Sequence, residues 1–214
     1  MSRALRRLAA GAGALAAVAA IAGTTVSAFA GSTSNAGNTF AAAASFGGCA
    51  SPGTVTALAN IDSWIDQSSP SSNFGSDQIL KVKRETGSKA MRTLVRFTLP
   101  GTPAGCTVTG ATLRLWAASA ATGQTLQALR LNAGWTESGV TWSNQPATTG
   151  TAATATSVSG WNQWTVTSQV QGMYAGSNNG FLVRFAVETS PVAEMQLHAR
   201  DKGSQPPELR ITFG

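Results

Sequence analysis

From Thr54 onward the chain runs in short stretches where apolar and polar residues alternate, each bounded by Gly, Pro, Asn or Ser. A period of two marks strands that bury one face. The pattern predicts strands over residues 55–65, 79–84, 93–99, 107–117, 125–133, 161–166, 181–188, 195–200 and 208–213. Nine strands in one domain favour an all-β sandwich of two packed sheets. One segment departs from alternation. Ser168-Gln169-Val170-Gln171 has the form of a capping box, and Val170, Met173 and Tyr174 then recur at i, i+3 and i+4. That spacing predicts one short helix, ended by Gly176.

The same alternation assigns directions to charged side chains. In L-V-R-F, T-L-R-L, A-L-R-L, a second L-V-R-F and E-L-R-I an arginine stands between apolar neighbours, at Arg96, Arg114, Arg130, Arg184 and Arg210. If the neighbours face inward, the arginine faces out. Lys81 and Lys83 follow the same rule on another strand, and Trp116 shares the face of Arg114. Guanidinium forks suit bidentate pairing with uronate carboxylates, and an indole stacks on a sugar ring. The candidate glycan-binding residues are therefore Lys81, Lys83, Arg96, Arg114, Trp116, Arg130 and Arg184, forming a basic face where they share a sheet. The plainer alternative is a set of solvated charges that discourage edge-to-edge pairing.

The N-terminal stretch has different chemistry. Arg3, Arg6 and Arg7 precede an uncharged run to Ala22, and Ala28-Phe29-Ala30 follows. This is the layout of a signal peptide over residues 1–30, with cleavage after Ala28 or Ala30. The run is interrupted by Thr24, Thr25 and Ser27 and is a poor membrane span. Residues 31–53 are rich in Gly, Ser, Ala and Asn and read as a linker or arm, leaving 54–214 as the domain. Of the chain's 15 basic residues, three would leave with the leader while the 9 acids remain. The mature protein is then only mildly basic, without a Lys/Arg run, which argues against nucleic acid as a partner. In an oxidising compartment Cys49 and Cys106 can pair, tying the arm to the domain; two separate thiols are the other option.

Catalytic motifs are sparse. Asp62 and Asp66 alternate on one side of a strand with Trp64 between them, and Asn73 and Asp77 follow. The arrangement admits a glycosidase pair, a calcium site or simple hydrogen bonding to a turn. His198 is the single histidine and cannot build a zinc site with what surrounds it in the sequence. With no nucleophile elbow, H-E-x-x-H or phosphate loop present, the chain reads as non-catalytic and free of cofactor or metal.

The order N-F-G-S-D (73–77), L-V-R-F (94–97), G-A-T-L-R-L (110–115), W-T-E-S-G-V-T-W-S-N-Q-P (135–146), W-T-V-T-S-Q-V-Q-G-M (164–173), N-N-G-F (178–181) and P-P-E-L-R-I (206–211) resembles the DNRLRE-type domain, also classed as carbohydrate-binding module family 96. The likeness covers about residues 55–214, although the hexapeptide that names the family is absent. It implies a jelly-roll β-sandwich that binds acidic glycans, found beside polysaccharide lyases and on bacterial surfaces. In that frame Trp135 and Trp142 are read as plugs that fold their loop over the open end of the sandwich, their indole N–H groups donating to carbonyls. Trp161 and Trp164, three apart, face opposite ways, so at least one belongs to the core. The expected function is that of a secreted polysaccharide-binding protein of the polyuronate type. The alternative is a secreted matrix or adhesion protein of the cell surface that uses the sandwich as a building block.

Overall fold

The computed structural model describes residues 48–87, 89–188 and 190–214, and a small hairpin upstream in which β1 (Ser34–Asn35) pairs antiparallel with β2 (Asn38–Thr39). The expected leader and most of the expected arm lie outside the described residues. The chain forms two compact units, Met1–Phe46 and Gly47–Gly214. The hairpin belongs to the first.

The second unit contains ten strands: β3 (Gly53–Asp66), β4 (Ile79–Arg84), β5 (Met91–Phe97), β6 (Val108–Ser119), β7 (Thr125–Leu131), β8 (Thr148–Thr156), β9 (Gly160–Thr165), β10 (Phe181–Phe185), β11 (Val192–His198) and β12 (Glu208–Phe213). One helix, α1 (Thr167–Tyr174), follows β9. In the first layer β6 lies between β9 on one side and, on the other, β12 and β11, with β4 beyond β11. The second layer runs β3, β5, β10, β7, β8. β3 belongs to both, pairing with β12 through residues 53–58 and with β5 through residues 59–66. The result is a sandwich whose layers are one continuous, antiparallel, barrel-like sheet.

Alternation explains the core. Leu80 and Val82, Val95 and Phe97, Leu113 and Leu115, Val183 and Phe185, and Leu209 and Ile211 all fill the space between the layers. Trp164 is fully buried there while Trp161 stays half-exposed. Cys49 is bridged to Cys106, and the Ala50 N–H donates to the Ala104 carbonyl at 2.9 Å, fixing the segment before β3 to the turn before β6. A crosslink across 57 residues of sequence stabilises by about 4 kcal/mol through chain entropy, before any native-state strain is counted.

Two sequence expectations need correction. β8, T-T-G-T-A-A-T-A-T, is a tenth strand with no large side chain to mark it; it pairs only with β7, at the margin of the second layer. The helix forms as expected but without a capping box. Val166 is its N-cap, and no side chain caps it. The Thr167 hydroxyl accepts the Ala111 N–H at 3.0 Å, and Gln171 donates to the Val108 carbonyl at 2.8 Å. Gln169 donates to the carbonyls of Ala128 and Thr151, so α1 ties the two layers together at one edge. Of the expected box, Gln171 is taken by its tertiary bond and Ser168 lies inside the helix, past the N-cap.

Candidate functional site

The outer face of the first layer is built by three neighbouring strands. Trp116 on β6 is in register with Trp161 on β9, and Arg114 stands between Gln163 on β9 and Glu208 on β12. The two indoles are half-exposed and meet edge to face, with ring centroids 5.5 Å apart. The Arg114 guanidinium lies over the Trp161 ring at 4.1 Å and pairs with Glu208 at 2.5 Å. Arg210 reaches the same carboxylate at 3.3 Å but leaves 47% of its side chain exposed, against 10% for Arg114. Leu58, opposite Glu208 on β3, is 55% exposed. Tryptophan, glutamine and arginine thus form a continuous surface on rigid strands. Beside Trp116 sits His198, mostly buried, its Nδ1 bonded to the Ser204 carbonyl at 2.8 Å. That contact ties the end of β11 to the segment before β12.

Lys81 and Lys83 also point outward from the first layer, since Leu80 and Val82 occupy the core. Lys81 pairs with Glu194 at 3.4 Å and lies over the Trp64 ring at 4.7 Å; Lys83 pairs with Glu85 at 2.6 Å. Arg96 and Arg184 face outward on the opposite layer. Arg96 lies 6.0 Å from the Trp135 ring centroid, and Arg184 contacts Gln127 and Glu188. Arg130 runs against expectation. Leu126 and Ala128 face the core while Leu129 and Leu131 belong to the outer cluster, so unbroken alternation puts Arg130 on the inner side, and its guanidinium is turned against Gly172 of α1. The seven candidates therefore do not form one face: Lys81, Lys83, Arg114 and Trp116 share a layer, and the others are elsewhere.

The tryptophan loop also departs from its expected place. It covers the outer face of the second layer, not an open end of the sandwich, packing Trp135 and Val140 on Ile65, Leu94, Leu129, Leu131 and Leu182. Trp135 is a plug, 8% exposed, its indole N–H donating to the Asn179 carbonyl at 2.9 Å. Trp142 is half-exposed and carries the Arg92 guanidinium 4.4 Å from its ring centroid. A signal existed in the sequence: Phe181-Leu182-Val183 is apolar without alternation, as a strand covered on both faces must be.

Asp62 and Asp66 are engaged in separate contacts. Asp66 accepts the backbone N–H and the hydroxyl of Ser68, a local turn. Asp62 accepts the Arg200 N–H at 2.7 Å, and its other oxygen is buried without a partner. Burial outweighs that hydrogen bond and, with the nearby Glu137 charge, pushes the Asp62 carboxyl up from 3.8 to about 7. Glu137 itself holds Arg200 through two bonds of 2.9 and 2.8 Å and accepts the Asp62 N–H. Asp77 accepts the Trp64 indole N–H at 2.9 Å. Among the described residues no group of three or more His, Cys, Asp or Glu side chains is placed to hold a metal.

The sequence model of carbohydrate-binding module family 96 matches residues 53–213, the whole of the sandwich. The chain belongs to this family. No curated protein matches it. Carbohydrate-binding modules are generally non-catalytic, so the family 96 assignment calls for a glycan-contacting surface. Three participants in the best-formed such surface, Trp161, Gln163 and Arg210, lay outside the sequence-based set. Trp161 was recognisable only as one of a pair facing opposite ways, and Arg210 only as one more outward arginine; their proximity to Trp116 and Arg114 depends on strand order.

Proposed function

We propose that the protein is an exported, non-catalytic binder of acidic polysaccharide of the polyuronate type, and that the chain lies across the outer face of the first layer. The observation that carries this reading is the count of charges beside the Trp116–Trp161 pair. Arg114 and Arg210 share the single carboxylate of Glu208, leaving one positive charge in excess next to two half-exposed indoles. Arg114 is mostly buried and orients Glu208, so Arg210 is the guanidinium that meets a sugar carboxylate. Trp116 and Trp161 supply the apolar contact to the ring, Gln163 supplies hydrogen bonds, and Lys81 and Lys83 extend the face towards β4. Export is supported by the leader pattern and by a disulfide suited to an oxidising compartment.

Affinity electrophoresis of the full chain in gels containing alginate, pectate or a neutral glucan tests the reading. Retardation should be strongest in an acidic gel, should weaken with added salt, and should be lost in the Trp116→Ala/Trp161→Ala double variant while its circular dichroism is unchanged. Equal retardation in acidic and neutral gels removes the polyuronate assignment. Unchanged retardation of the double variant removes the face.

A further inference from the structure

On the opposite side of the core, between the β4–β5 turn and the tryptophan loop, lies a cleft of about 360 Å³ lined by Gln67, Glu85, Ala90, Arg92, Trp142 and Glu188 among others. This is at the small end of the range for sites that hold small ligands. Trp142 is the one tryptophan of its loop left half-exposed, although Trp135 and Val140 beside it are buried. The cleft wall is rigid. Glu188 grips Arg92 with bonds of 2.9 and 2.6 Å, Gln145 accepts a third at 2.9 Å, and Gln145 is itself anchored by donating to the Trp142 carbonyl.

The charges of the lining select the ligand. Among the described residues Arg92 is the one cation lining the cleft, and its donors are committed to Glu188 and Gln145. The two carboxylates of the lining are paired as well, Glu85 with Lys83 and Lys89 and Glu188 with Arg92 and Arg184. The Gln67 side-chain oxygen accepts the Ala90 N–H at 3.2 Å, leaving its amide N–H groups as donors. An indole and an amide donor beside a wall whose charges are paired among themselves suit a ring carrying hydroxyl groups, and the one cation of the lining has its donors committed and is not free to meet a ring carboxylate. We propose that this cleft is a second carbohydrate site, distinct from the Trp116–Trp161 surface, that takes a neutral sugar unit. It needs only the family's carbohydrate-binding character, not the polyuronate reading of the other face.

The indole N–H resonances of the isotope-labelled full chain report on both surfaces at once. The Trp142 signal is assigned by Trp142→Phe, and the probes are the hexaoses of glucose, galactose, mannose and xylose and a hexauronate. The expected result is that at least one neutral hexaose shifts the Trp142 signal, that Gln67→Ala or Glu85→Gln weakens that binding about fivefold, and that the Trp116→Ala/Trp161→Ala variant titrates like the parent. The proposal is overturned if no neutral hexaose moves the Trp142 signal, if the hexauronate moves it as strongly, or if both cleft variants bind as the parent does. Failure of the other face has its own signature, Trp116 and Trp161 signals that stay put with the hexauronate.

Discussion

Gly75 lies so close to the backbone carbonyl of Glu137 that a Cβ on residue 75 would collide with it. Asn73, two residues earlier, donates to that same carbonyl and to the carbonyl of Val140, both at 2.7 Å. N-F-G-S-D and W-T-E-S-G-V are thus two halves of one joint, which explains why both short motifs occur together. Phe74 stacks on Trp64 at 3.8 Å, and Glu137 continues the joint to Arg200 and Asp62. The joint seats the tryptophan loop on the second layer.

Gly75→Ala must displace backbone, and the cost of such overpacking is about 1–3 kcal/mol. Asn73→Ala instead strips the side-chain donor from two carbonyls and should cost about 2 kcal/mol. Urea denaturation of the two variants checks both figures. A Gly75→Ala protein as stable as the parent would show that the joint yields freely.

Asp62 gives the fold a pH dependence of unusual sign. The folded carboxyl titrates near 7 and the unfolded one near 3.8, so the folded state keeps its proton over an interval in which the unfolded state has lost it. The stabilisation from this group is complete below about pH 4, declines as pH rises and is gone above about pH 7; the full difference is at most about 4 kcal/mol. Asp62→Asn lacks the titration. Its stability relative to the parent should therefore improve between pH 4 and pH 8, read from denaturation midpoints at each pH. A constant difference across that interval would refute the raised value.

How far the sequence reveals this molecule depends on which faces of a strand are covered. β4 and β12 coincide with their predicted spans because one face of each is core and the other is polar. β8 was invisible because Thr and Ala carry little hydrophobic contrast at a sheet margin. The direction of Arg130 was hidden because its neighbours Leu129 and Leu131 are buried on the outer face under the tryptophan loop, so apolar neighbours there did not mark the side facing the core. The candidate face was half legible. Parity put Arg114 and Trp116 on one surface, but β9 and β12 flank β6 only through tertiary pairing, and alternation within a strand carries no information about neighbours.

The two tryptophans of the loop should separate by experiment. Trp135→Ala empties a buried site and should lose about 3–5 kcal/mol, the range for truncating a core aromatic. Trp142→Ala removes a half-exposed indole and should lose no more than about 2 kcal/mol. Thermal or urea unfolding measures both. Equal losses would mean that Trp142 packs as a second plug, and would weaken its place in the cleft.

Arg114 and Arg210 touch the same carboxylate, yet they should fail in different ways. Arg114 is 10% exposed, its Nε is buried without a partner, and its guanidinium covers Trp161. Arg114→Gln leaves Glu208 with only the longer, exposed contact to Arg210, and disrupting a mostly buried pair costs about 3 kcal/mol. Weaker binding by that variant would report a disturbed surface as much as a missing contact. Arg210, with 47% of its side chain exposed, makes the kind of ion pair that contributes little to stability. Arg210→Gln should unfold within about 0.5 kcal/mol of the parent while losing affinity for alginate or pectate, with a shallower dependence on salt because one cation fewer meets the polyanion. Melting curves and affinity electrophoresis at two ionic strengths decide the matter together. If Arg210→Gln keeps both its affinity and its salt dependence, the excess charge beside Glu208 plays no part in glycan recognition, and the first-layer face would have to act through its indoles alone.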